Sequence, residues 1–181
     1  MKINKLTKIS IFAALLWVVM AFSFIVFAFS SDKNPYGPIS LLMHGTLVFY
    51  MIMAGMYVRW RHFDLSFSFK EALKFCVILS VMGNFLMLIL GLIYLNITWE
   101  TSSFIYIRDM TTFFESMVQS GELEKIGEVD NEGIRNNIEE LKNVKPWNIV
   151  FNDFSMKMLV SLIISFIIAV TMRKSVETEN N

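Results

Sequence analysis

Few side chains in this sequence could do chemistry, and they fall into two rows and one isolated histidine. Cys76, Ser80 and Asn84 recur every fourth residue, with Gly83 beside them, so a helix would carry them on one face. Ser161, Ser165 and Ala169 form a matching row near the C-terminus. In lipid, small and weakly polar groups let helices approach closely and exchange hydrogen bonds worth about 0.6–2 kcal/mol. Each row is therefore expected to face a neighbouring helix. A substrate pathway is the sharper alternative, but pathways ordinarily bring charged or interrupted helices. His44 lies alone inside another apolar run. An imidazole there could titrate near neutral pH, relay protons or bind a metal. A proton path usually needs a carboxylate partner, and the apolar runs contain none. The plainer expectation is a histidine bonded to a neighbouring helix or to interfacial water.

Metal and covalent chemistry find little support. Met43, His44, Met156 and Met158 offer thioether and imidazole groups that suit Cu(I). Methionine is also an ordinary filler of apolar surroundings, which is the reading favoured here. Cys76 is the single cysteine, so neither a disulfide nor a cysteine-based zinc spacing is available. The chain lacks His-Glu-x-x-His, Gly-x-Ser-x-Gly and any phosphate-cradling glycine loop. No catalytic residue, metal ligand or cofactor is expected, and the chain reads as a non-enzyme.

The elements that hold these residues are apolar and long. Hydrophobic residues make up 55% of the 181 positions and charged residues 18%, more apolar matter than a small soluble domain can bury. Four runs stand out, at about 9–29, 39–58, 75–97 and 154–172. Each approaches the roughly 20 residues that a helix needs to cross a bilayer, and a helix satisfies its own amides where water is absent. Lys157, near the start of the fourth run, is expected to extend its ammonium to the interface. The first run has a basic start and an Ala28-Phe29-Ser30 ending reminiscent of a signal peptide. Its 21 apolar residues exceed the roughly 7–15 of a signal core, which favours an uncleaved span. Trp17, in its middle, is expected to pack against another helix.

Charge sets the expected orientation. Segments 1–8, 59–74 and 173–181 carry nine Lys and Arg in 33 residues, whereas 30–38 and 98–153 carry six in 65. The positive-inside rule then puts both termini in the cytoplasm and segment 98–153 outside it. Lys plus Arg equals Asp plus Glu, 16 each, so net charge points to no nucleic-acid partner.

Segment 98–153 holds eleven acids against five bases. Ile107, Met110, Phe114, Met117 and Val118 form one helical stripe, and Ile134, Ile138 and Leu141 a second. Asp130 is a plausible N-cap for the second helix, Pro146 its stop, and Gly121 and Gly127 mark the loop between the two. The fold class expected is all-α, an integral membrane bundle of four transmembrane helices with a two-helix extracytoplasmic cap, forming one domain over 1–181.

A family resemblance rests on several of these features. Arg59 and Arg61 close the second run, Phe69-Lys70-Glu71-Ala72-Leu73-Lys74 opens the third, a long acidic segment follows, and Arg173-Lys174 ends the last run. In these the chain resembles a family of four-span bacterial membrane proteins, chiefly from Bacteroidota, known only as a domain of unknown function. The resemblance implies a multi-pass protein of the bacterial inner membrane and brings no activity or functional residues. The function expected is that of a non-enzymatic envelope interaction or assembly partner, working through 98–153. The alternative is a small transporter or channel component.

Overall fold

The computed structural model describes residues 4–62, 67–119 and 131–172. Among them are six helices and no strand: α1 (Lys5–Ser30), α2 (Ser40–His62), α3 (Phe69–Ile97), α4 (Trp99–Gln119), α5 (Asn131–Leu141) and α6 (Pro146–Met172). Four of these, α1, α2, α3 and α6, are long and apolar enough to cross a membrane. They form an antiparallel bundle, with α4 and α5 joined to one end of it. That is the capped end. Asp130 and the segment between Gly121 and Gly127 lie outside the described residues.

Local chemistry explains where the helices begin. Asn4 caps α1 by accepting from the Leu6 amide at 3.2 Å. Ser68 caps α3 in a reciprocal box, its hydroxyl accepting from the Glu71 amide while the Glu71 carboxylate accepts from the Ser68 amide. The Phe-x-Glu-Ala-Leu-Lys signature therefore has a structural meaning. Glu71 closes the cap, Ala72 is fully buried, and Phe69 meets Phe166 edge-on at 5.6 Å between ring centres.

The last helix departs from its expected bounds. Pro146 does not stop α5, which ends earlier, at Leu141. Instead Pro146 is the first residue of α6, where its missing amide proton is no loss and its fixed φ suits a helix start. The helix runs eight residues ahead of the apolar run at 154–172 and takes Asp153 into the span. Lys157 is accordingly folded into the protein rather than extended from it; it is 3% exposed.

Packing within the bundle is uneven. The most extensive contact joins α3 to α6, followed by α1 to α3, whereas α1 and α2 touch sparingly. Trp17 is buried, as its mid-span position predicts. A Cβ added to Gly83 would lie 3.1 Å from its ring. The side chains facing away from the bundle, among them Val19, Phe27, Phe49 and Ile163, are largely exposed apolar groups, as lipid requires.

Candidate functional site

The two polar rows meet. Asn84 Nδ2 donates to Ser161 Oγ at 3.0 Å, and Ser80 Oγ and Ser165 Oγ are 3.2 Å apart. Ser165 also donates to the Ser161 carbonyl at 2.7 Å, one turn back. Ser80 further approaches Met51 Sδ of α2 at 3.7 Å, a weak contact that brings a third helix to the seam. Cys76, Ser80, Asn84, Ser161 and Ser165 are all buried. Small side chains make this approach possible, and every hydroxyl in the row finds a partner.

Towards the capped end the seam runs into a buried ion pair. Lys157 Nζ donates to Asp153 Oδ2 at 2.6 Å, with side chains 4% and 12% exposed. The residues are four apart on α6, acid first, the favourable order for such a pair on a helix. Taking either charge alone into this interior would cost several kcal/mol, so each is tolerated because the other is there. Asn84, Asp153 and Lys157 border a space of about 10 Å³ together with Tyr36 from the α1–α2 connection. Tyr36 packs against α3 where Gly91 leaves room: a Cβ there would lie 3.0 Å from its hydroxyl. That hydroxyl is buried without a hydrogen-bond partner among the described residues. Burial, and then the nearby charge of Asp153, hold the phenol well above the usual tyrosine range.

Beyond Tyr36 and Asp153 the bundle opens into a cleft of about 440 Å³ between α2, α4 and α6. His44 lies here. Its Nδ1 is 2.7 Å from the Ser40 carbonyl, to which it donates. Asn152 and Tyr106 complete the polar wall, while Leu41, Ile149, Met156 and Val160 form the apolar one. His44 and Asp153 both line this cleft, and the Asp153 carboxylate is engaged by Lys157. The methionine reading is not supported by geometry. Met156 lines the cleft, whereas Met43 is buried and borders a different groove with Trp17. Among the described residues, no group of three or more His, Cys, Asp or Glu could hold a metal ion.

The cap is held to the spans by a charged bracket. Arg108 of α4 donates to the Asp32 carboxylate at 2.6 Å, to the Asp32 carbonyl at 2.8 Å and to Asp109 at 2.9 Å. Asp109 in turn accepts from the Asn34 amide at 3.0 Å. The hydrogen bonds to Asp32 and then Asp109 push the Arg108 pKa above its ordinary value. Asp32 itself adopts φ 56°, a left-handed turn that aspartate tolerates better than most residues. Only Ser102 and Ile105 of α4 are fully buried. The stripe residues Ile107, Met110 and Phe114 are half-buried, and Val118 is exposed.

Sequence reasoning located the seam and His44 but missed Asp153, Lys157 as its partner, and Tyr36. A signal was present: Asp-x-x-x-Lys spacing downstream of a proline able to start a helix. It was obscured because Asp153 fell just outside the apolar run.

Fold and site together define a multi-pass, all-helical membrane protein with a polar seam inside the bundle. The sequence matches the family described as "Protein of unknown function (DUF4199)" over residues 8–174, and the chain belongs to that family. No curated protein and no solved structure matches it.

Proposed function

We propose that this is a non-enzymatic protein of the bacterial inner membrane, with both termini cytoplasmic, that serves as an assembly partner through its extracytoplasmic helices. The orientation rests on the Lys and Arg bias between alternate segments. The partner role rests on α4, a 21-residue helix fastened by a charged bracket while part of its apolar stripe stays uncovered. A fastened helix presents that stripe in one fixed pose, which lowers the ordering cost of binding. A photo-crosslinking residue at Glu115 in cells should give a protein adduct of discrete mass, while one at lipid-facing Ile163 should not. Arg108→Ala should weaken the Glu115 adduct severalfold by releasing the bracket. Adducts to lipid alone at Glu115 would remove the partner role.

The buried Asp153–Lys157 pair beside the cleft favours a second reading, a small transporter or channel component, since charges inside a span commonly mark pathways. That reading predicts solute flux in liposomes that falls with His44→Leu or Asn84→Leu. Flux indifferent to both substitutions would exclude it.

A further inference from the structure

The loosely packed pair α1 and α2 encloses a groove of about 460 Å³ at the end of the bundle opposite the cap. Its walls are apolar, with Phe12 and Leu16 from α1 facing Met53 and Ala54 from α2. Tyr50 closes its deep end, donating to the Ala13 carbonyl at 2.7 Å and resting against Trp17 at 5.7 Å between ring centres. Lys8 and His62 stand at the mouth, and the His62 ring is held edge-on to Tyr57. Lys8 is exposed and takes part in none of the ion pairs among the described residues. Helical register adds two more cations. Lys5 lies three residues before Lys8, and Arg61 seven after Ala54, so both share the groove face and both are exposed. From Lys8 to Leu16 the slot is about 12 Å long at 1.5 Å per residue.

We propose that this groove retains one anionic phospholipid from the bilayer. The phosphate sits among Lys5, Lys8 and Arg61, and an acyl chain lies between Phe12, Leu16 and Ala54. Cations at a helix end are explained by orientation alone, and an apolar face by general contact with lipid. Neither accounts for a slot between two spans that ends in three cations, which is the arrangement by which basic pockets between helices hold anionic headgroups. A zwitterionic lipid would fill the slot equally well but would gain less from the mouth.

The test uses the full-length protein in neutral detergent, titrated with phosphatidylglycerol, phosphatidylcholine or inorganic phosphate. Phosphatidylglycerol should raise the unfolding temperature saturably, and native mass spectrometry should find one molecule retained. Phosphatidylcholine should act at least tenfold more weakly and phosphate not at all. Lys5→Gln, Lys8→Gln and Arg61→Gln together, all at exposed positions, should abolish the preference for phosphatidylglycerol. Met53→Trp, at a half-exposed wall position, should block retention while leaving the charges in place. Equal effects of the two lipids, or stabilisation by phosphate, would overturn the proposal. So would retention that survives Met53→Trp, because the cations would then act as an open patch without the slot.

Discussion

The α3–α6 seam and the α1–α2 pair sit in the same bundle and are both built from apolar helices of membrane length, yet one closes tightly and the other leaves a groove. At the seam, Ser80, Asn84, Ser161 and Ser165 place small groups opposite each other and link them by side-chain hydrogen bonds. Between α1 and α2, larger residues such as Phe12, Leu16 and Met53 face the gap, and Tyr50 reaches across to the Ala13 carbonyl. Lipid tails are as apolar as leucine, so burying leucine against leucine brings little net gain inside a membrane. Close packing and polar exchange decide which pairs of helices shut. Hydrophobicity is common to both pairs and distinguishes neither.

Four substitutions sharpen that contrast, beginning with the largest effect. Asp153→Leu should destabilise the detergent-solubilised protein by about 3–5 kcal/mol, because it leaves Lys157 buried and unpaired. Adding Lys157→Leu should recover most of that loss in the same unfolding assay. A double variant as unstable as the single one would show that the pair does more than neutralise itself. Asn84→Leu should cost about 0.6–2 kcal/mol through loss of the bond to Ser161, while Tyr50→Phe across the looser pair should cost about 0.5–1.5 kcal/mol. If Tyr50→Phe proved the more damaging, the contrast between the two interfaces would fail.

The smallest effect concerns pH. The Tyr36 phenol is held neutral above its ordinary range by burial, so the folded state binds this proton more tightly than the unfolded chain does. That contribution is complete below about pH 10, where an unperturbed tyrosine begins to ionise, and is lost as pH rises further. Tyr36→Phe should therefore flatten the alkaline end of the stability curve, measured by thermal unfolding between neutral pH and pH 11. An unchanged slope would mean that Tyr36 is not shielded in the way its contacts with Gly91 and Asp153 imply.

Much of the architecture was legible in the residues because its causes are local or periodic. Four apolar runs of bilayer length can only be helices, and Trp17, Asn84 and Ser161 had to face something other than lipid. The cap helices were legible from stripe spacing, although Pro146 opens the last span instead of closing the second cap helix. Proline punctuates both ends of helices, and only the chain geometry distinguishes a stop from a start. The same ambiguity conceals the ion pair in the sequence, since Asp153 joins the span only if the helix begins at Pro146.

By itself, the sequence determined that this chain crosses a membrane as helices and which residues must avoid lipid, since both follow from transfer free energies summed along a continuous stretch. Which rows meet was decided by tertiary structure alone. Asn84 finds Ser161, 77 positions further along the chain, Tyr36 finds the space beside Gly91, and α1 and α2 stand apart far enough to leave a groove. These are matters of steric fit and hydrogen-bond geometry between distant segments, which residue order along one helix does not encode.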